Sequence, residues 1–110
     1  DLDQSSGLSR VHLRSTTNKV LLAANAEGDN LAAKVYIINK ATDASLYVTV
    51  TINAQTIGKL YAGDFMFIPW SQTDTSANIE VAATNWTAST GDIPVEYALF
   101  HEDTDFLTNA

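Results

Sequence analysis

Few residues in this sequence could do chemistry, and the richest group is the segment His-Glu-Asp-Thr-Asp at positions 101–105. It places an imidazole and three carboxylates within five positions, and hard divalent cations prefer carboxylate oxygens as ligands. However, the segment lacks the glycine-centred spacing of a calcium-binding loop. We therefore expect an acidic segment exposed to solvent, and the sequence predicts no bound metal.

The other candidates for catalysis are isolated residues. His12 lies between Arg10 and Arg14, a position typical of a surface histidine. The absence of cysteine excludes thiolate nucleophiles and cysteine-ligated metal sites. No glycine-rich phosphate-binding loop and no serine, histidine and aspartate in a catalytic order are visible. The sequence therefore predicts that the protein is not an enzyme and has no catalytic residue and no cofactor.

One tripeptide, Asn85-Trp86-Thr87, matches the acceptor pattern for N-glycosylation. Three-residue matches are frequent by chance, and no basic-then-apolar signal segment is visible, so we expect this tripeptide to be an ordinary loop. Trp86 in that loop could stack on a sugar or could pack over one end of the domain.

The charged residues are divided unevenly along the chain, whose formal net charge is -7. All six lysines and arginines lie in the first 59 positions with five acids, a net charge of +1, and positions 60–110 carry eight acids and no base, a net charge of -8. A chain this acidic lacks the basic surface that nucleic acids require. Its apolar runs are too short to span a bilayer. We expect a soluble domain that binds neither nucleic acid nor a membrane.

The elements that must position these residues show a period of two. Between positions 46 and 52, apolar and polar residues alternate, which indicates a strand with one face in a core. The predicted core face consists of Leu46, Val48, Val50 and Ile52, and the opposite face of Tyr47, Thr49 and Thr51. Further candidate strands occupy positions 10–14, 19–24, 33–39, 78–84 and 94–100.

Turn-forming residues separate these runs, and successive strands begin about 8 to 15 residues apart, which is the spacing of a sandwich or barrel. The sequence therefore predicts an all-β fold, an antiparallel β-sandwich or jelly-roll-like domain of about eight strands with polar N- and C-terminal arms. The predicted N-terminal arm covers residues 1–9, the β-sandwich domain residues 10–102 and the C-terminal tail residues 103–110.

Positions 58–70, GKLYAGDFMFIPW, concentrate aromatic and aliphatic residues. Ala62-Gly63-Asp64 predicts a tight turn, because glycine accepts a positive φ. Residues 65–68 are all apolar, so both faces of that strand need cover. One face belongs to the domain core, and either a loop of the same domain or another subunit covers the second. Pro69 predicts a sheet edge or the end of the strand, with Trp70 at its rim.

The order of these runs resembles a known class of protein. Across residues 33–102 the runs KVYIIN, LYVTVTI, GKLYAGDFMFIPW, IEVAAT and VEYALFHE follow one another, and this pattern resembles the small virion structural proteins of tailed bacteriophages. In those proteins a tight Ala-Gly-Asp turn precedes an F-x-F-I-P strand, and the chain closes on a V-x-Y-x-L-F strand. The resemblance implies β-sandwich or jelly-roll subunits that sit on or in the capsid or tail, often as symmetric oligomers. It does not place the polar first nine residues.

The leading functional hypothesis, which rests on that resemblance, is a non-enzymatic capsid decoration or cement protein on the capsid surface of a virion. Its expected partners are the major capsid protein and further copies of this chain. The candidate interface residues are Phe65, Phe67, Trp70, Arg10, Arg14 and Phe106. One alternative is a tail or vertex adaptor of the virion. The other is a carbohydrate-binding module that would stack Trp70, Trp86 and Tyr61 on a surface glycan.

Overall fold

The period-two runs of the sequence form strands in the structure. The computed structural model describes residues 4–5, 8–23, 33–70 and 77–101, and no helix occurs in this part of the chain. The strands are β1 (Gln4–Ser5), β2 (Ser9–Leu13), β3 (Lys19–Leu22), β4 (Ala33–Asn39), β5 (Tyr47–Ile52), β6 (Gln55–Tyr61), β7 (Phe65–Pro69), β8 (Ile79–Ala82) and β9 (Ile93–His101). The predicted all-β fold is confirmed.

The strands form two antiparallel sheets with a nested pattern of pairing. β2 pairs with β9, β3 with β8, β4 with β7, and β5 with β6, as in one long hairpin rolled into two layers. The resulting orders are β2-β9-β4-β7, here called sheet A, and β3-β8-β5-β6, here called sheet B. β1 lies beside β9 on the same edge as β2. Nested pairing of this kind is typical of a jelly roll, so the predicted sandwich or jelly-roll-like fold is confirmed.

The core lies between the two sheets and is built from inward-facing aliphatic residues. Along β4 the burial of the side chains alternates from one end to the other, and Val35 and Ile37 are completely buried. Val48 and Val50 of β5 supply the facing layer from sheet B. Full burial of such a side chain contributes about 1.5–3 kcal/mol to the free energy of folding. The side of each strand that carries the apolar residues is therefore the side that faces the core.

The predicted faces of the strand at positions 46–52 are confirmed. The buried side chains of the predicted core face are Leu46, Val48 and Val50, with Ile52 packed against the core. Thr51 lies on the face opposite to the core, as predicted, since it pairs with Glu80 of β8, but its side chain is nevertheless buried. β5 is an interior strand, and Thr51 pairs with Thr56 on β6 and Glu80 on β8, so side chains of the same face flank it on both sides.

The ends of the chain are described only in part. Within the predicted N-terminal arm, residues 1–9, β1 pairs with the end of β9 and β2 begins at Ser9. Part of that arm is therefore a strand of sheet A. The predicted C-terminal tail, residues 103–110, lies outside the described residues.

The β5–β6 hairpin turns through two residues, Asn53 and Ala54, whose φ angles are 54° and 61°. Ile52 pairs with Gln55 directly across the turn. A two-residue turn with positive φ at both positions is a type I′ turn, which fits the twist of paired strands and favours the sequence Asn-Gly. Ala54 therefore carries its Cβ in a conformation that costs an L-residue about 1–2 kcal/mol.

Ala54→Gly is expected to raise the free energy of unfolding by about 0.5–1 kcal/mol, because it removes the Cβ strain and the greater freedom of glycine in the unfolded chain offsets only part of that gain. Urea unfolding should show a higher midpoint with an unchanged slope. Ala62→Gly is the control: the φ of Ala62 is not positive, so glycine should lower the stability there. A lower midpoint for Ala54→Gly would show that the positive φ of Ala54 does not destabilise the protein.

Candidate functional site

A tight turn directly before β7 determines which of its side chains point out of the sandwich. The backbone nitrogen of Asp64 donates to the carbonyl oxygen of Tyr61 over 2.8 Å, the Asp64 carboxylate accepts the N–H of Tyr61 over 3.0 Å, and Gly63 has a φ of 87°. The predicted Ala62-Gly63-Asp64 turn is confirmed, and Asp64 is a structural residue of that turn. Because β7 begins directly after it, Phe65 points out of the sandwich and the side chains alternate from there.

Phe65 and Phe67 face outward on sheet A, with 63% and 50% of their surface exposed. Met66, between them, points inward and packs against the core. On the neighbouring strand β4, Ile38 pairs with Phe65 and Tyr36 pairs with Phe67. Paired residues of antiparallel strands share one side of the sheet, so all four outward side chains form one surface.

Phe100 of β9 extends this surface across a third strand. It pairs with Lys34 of β4, and its ring meets the ring of Phe67 edge-on with 5.9 Å between the centroids. We call the combined surface the aromatic face, and it consists of Tyr36, Ile38, Phe65, Phe67 and Phe100.

Ring contacts hold the aromatic face in one arrangement. The centroids of Tyr36 and Phe65 are 6.0 Å apart, and the ammonium nitrogen of Lys34 lies 5.7 Å from the centroid of Phe67. Aromatic pairs in such geometries contribute about 0.5–1.5 kcal/mol beyond the area they bury. These contacts favour one arrangement of the rings on the surface of sheet A.

The two arginines predicted at the interface, Arg10 and Arg14, contact acids of their own chain. The Nε of Arg10 donates to the carboxylate of Glu96 over 3.0 Å, and the Nε of Arg14 donates to Asp92 over 2.8 Å. Glu96 also pairs across the sheet with Ile38, so the Arg10–Glu96 ion pair lies at the border of the aromatic face. Exposed ion pairs contribute about 0.2–1 kcal/mol, and a role of either arginine toward a partner stays a prediction.

Trp70 points into the core, so the prediction that it lies exposed at the rim is wrong. Only 6% of its surface is exposed, and its indole N–H donates to the carbonyl oxygen of Ala77 over 2.7 Å. The backbone N–H of Trp70 donates to the carbonyl oxygen of Ala33 over 3.0 Å. The ladder with β4 therefore continues past Pro69, and Trp70 keeps the inward phase of the even-numbered residues of β7.

The three rings that could stack on a sugar do not form one platform. Trp70 lies in the core. Trp86 packs against the core, and its indole nitrogen is buried. Tyr61 is exposed but ends β6 of sheet B, where its ring contacts Tyr47 with 5.1 Å between the centroids. Of the three residues, Tyr61 is exposed, Trp86 is partly buried and Trp70 is buried.

The part of the chain that the structure describes shows neither a cluster of metal-ligating side chains nor a pocket. No three histidine, aspartate or glutamate side chains come together there, and no pocket opens between its residues. None of these residues forms a helix long and apolar enough to cross a bilayer. The side chains of residues 101–105 and Phe106 lie outside the described residues, so their predicted roles stay predictions.

The chain matches no known protein-family profile, and no curated protein sequence is similar enough to it to indicate a relative. The aromatic face must therefore be assigned from its own chemistry. It is apolar, bordered by Lys34 at one end and by the Arg10–Glu96 ion pair at the other, and it opens to solvent rather than into a pocket. A surface with an apolar centre and a charged rim suits contact with another protein.

Tyr36, Ile38 and Phe100 are not among the interface residues predicted from the sequence. Tyr36 and Ile38 do have a local signal in the sequence. They alternate with the buried Val35 and Ile37 along β4 and are themselves largely apolar. Phe100 has no such local signal. Its contact with Phe67 depends on the pairing of β9 with β4, which joins distant parts of the chain.

Proposed function

We propose that this protein is a non-enzymatic decoration or cement subunit of a tailed bacteriophage, located on the capsid surface and bound to the major capsid protein through the aromatic face. The observation that carries the proposal is the exposure of Phe65 and Phe67 side by side. Monomeric proteins rarely expose large contiguous apolar patches, and such patches mark sites of interaction. An ordered aromatic surface without a pocket suits a protein partner better than a small ligand.

The fold and the sequence resemblance support the same setting. Jelly rolls recur in viral capsid proteins, although they also occur in lectins and cupins, so the fold alone does not assign the function. A capsid repeats each surface many times by symmetry. One modest contact per subunit, repeated over the shell, would then strengthen the whole particle through multivalency.

Phe67→Ser is expected to weaken binding to undecorated shells about thirtyfold, because truncating a buried interface aromatic commonly costs about 2 kcal/mol or more. The measurement is co-sedimentation with shells assembled from the major capsid protein encoded in the same genome. Ile57→Ser is the matched control, since Ile57 has the same 50% exposure but lies on β6 in sheet B. Equal affinities of both variants and the parent would contradict the proposal.

A tail or vertex adaptor of the virion is the alternative that shares this chemistry. The number of bound copies distinguishes the two, because decoration follows the copy number of the shell and an adaptor occupies a single vertex. Imaging of purified particles gives the same distinction directly. The carbohydrate-binding alternative is weaker, because two of its three rings, Trp70 and Trp86, pack in or against the core.

A further inference from the structure

β7 has an edge that no other strand of the described residues covers. Its opposite edge bonds to β4: the N–H of Trp70 donates to Ala33, and the N–H of Asn39 donates to the carbonyl of Asp64. In an antiparallel pair the bonded residues recur at every second position. The even-numbered residues of β7 therefore bond to β4, and the backbone groups of Phe65 and Phe67 point toward the uncovered edge.

Pro69 agrees with this assignment. It is an odd-numbered residue of β7, so its missing N–H falls on the uncovered edge and removes no bond to β4. The uncovered edge thus offers the N–H and C=O groups of Phe65 and Phe67 and the C=O group of Pro69. These groups can form a ladder with another antiparallel strand.

We propose that the strand that pairs there is β7 of a second copy of this chain, related by a two-fold axis through Phe67. In this register the N–H and C=O of Phe67 bond reciprocally to the partner's Phe67. The N–H of Phe65 donates to the carbonyl oxygen of the partner's Pro69. Only the N–H that proline lacks is missing from the ladder, and a self-complementary contact of this kind closes as a symmetric dimer.

The charges on and around β7 favour a second copy. β7 itself carries no charged residue, so the two strands meet without like-charge repulsion. The nearest cation, Lys34, pairs with Pro69, so the lysines of the two copies lie at opposite ends of the joint, about 13 Å apart along the strand direction alone. That separation exceeds the screening length of about 8–10 Å at physiological salt. Each lysine instead lies next to the ring of its own Phe67, and its own β7 separates it from the partner's strand.

The dimer would place two aromatic faces in one continuous surface. Antiparallel pairing keeps outward side chains on the same side of the joined sheet, so Phe65 and Phe67 of both copies would lie at its centre. A surface doubled in this way binds a symmetric shell with higher avidity. The inference rests on the proposed function for its setting, but it concerns the free protein and is tested without any shell.

Amide hydrogen exchange measured by NMR at increasing protein concentration tests the pairing. The amides of Phe65 and Phe67 should gain protection as the dimer forms, with molar mass from light scattering rising in parallel. The amides of Met66 and Ile68 should stay protected at every concentration, because they bond to β4. Phe67→Lys, which sets two ammonium groups opposite each other at the two-fold axis, should weaken dimerisation about fivefold or more. Ile57→Lys on β6, equally exposed, should leave it unchanged.

Three results would overturn the inference. A monomer at all concentrations would exclude self-association, and a dimer with unprotected Phe65 and Phe67 amides would show that the copies meet elsewhere. Protection of both amides in a species with the molar mass of a monomer would show that a segment of the same chain covers the edge. Tyr36→Ser separates the two proposals, because Tyr36 belongs to the aromatic face but lies on β4, away from the uncovered edge. It should weaken shell binding and leave the dimer intact.

Discussion

Trp70→Ser is expected to lower the free energy of unfolding by about 3–5 kcal/mol, the usual cost of truncating a buried tryptophan. The change removes a ring that is part of the core cluster and leaves the carbonyl oxygen of Ala77 without its indole donor. A domain of this size is stable by about 5–15 kcal/mol, so the variant should melt far below the parent. Urea unfolding followed by circular dichroism measures the loss.

Two further variants show whether the loss comes from the burial of Trp70. Trp70→Phe keeps most of the apolar volume and removes the indole N–H, so it should cost clearly less than Trp70→Ser. Phe67→Ser, two strand positions from Pro69 on the outer side, should cost about 1 kcal/mol or less, since it loses an exposed ring contact. Equal losses of stability for Trp70→Ser and Phe67→Ser would contradict the assignment of Trp70 to the core and of Phe67 to the outer surface.

This contrast separates folding from binding. Trp70 and Phe67 lie three positions apart in one apolar segment, yet one supports the sandwich and the other is open to solvent. A binding defect in Phe67→Ser can therefore be attributed to the aromatic face, whereas a defect in Trp70→Ser would reflect loss of the fold. Phe67 and Tyr36 are the residues on which an interaction assay should concentrate.

The strands were predictable because their signal is local. β4 has the predicted bounds, Ala33–Asn39, since its alternation shows directly in the sequence. The Ala62-Gly63-Asp64 turn was equally predictable, because the positive φ of Gly63 is a requirement of that turn and not of the wider fold. Period and turn chemistry together predicted the all-β class and this turn, whereas the choice of Trp70 as an exposed residue beside Phe65 and Phe67 was wrong.

Other features depend on pairing between distant strands and have no local signal. Pro69 predicts a sheet edge or the end of the strand, and β7 does lie at the edge of sheet A and ends at Pro69. The inward position of Trp70 was not predicted, because it depends on the bond that the N–H of Trp70 still makes to β4. Phe100 joins the aromatic face only because β9 lies beside β4. Thr51 is buried because strands flank it on both sides. Each of these outcomes follows from sheet order, which alternation alone does not determine.

Asn39 is the residue whose importance the sequence hides most completely. It ends β4 and is fully buried, and its side-chain amide donates to the carbonyl oxygens of Leu60 over 2.9 Å and Leu46 over 3.3 Å. Its side-chain oxygen accepts the N–H of Ala41 over 2.8 Å. Its own carbonyl oxygen accepts the N–H of Gly63 over 2.8 Å. Asn39 therefore ties the end of β4 in sheet A to the segments that enter β5 and leave β6 in sheet B.

Asn39→Leu is expected to lower the free energy of unfolding by more than about 3 kcal/mol. The substitution keeps the branched shape of the side chain but removes the partners of two carbonyl oxygens and one N–H group, and each buried polar group left unpaired costs about 1–3 kcal/mol. The larger methyl groups of leucine add strain at this fully buried position. Asn85→Leu is the matched control, because Asn85 also donates to a carbonyl, that of Ser45 over 2.7 Å, and accepts the N–H of Tyr47 over 3.2 Å. Asn85 is only partly buried, so water can replace its bonds and the loss should be about 1 kcal/mol. Urea unfolding of both variants gives the comparison, and equal losses would show that burial does not set the value of these bonds and that Asn39 does not link the two sheets.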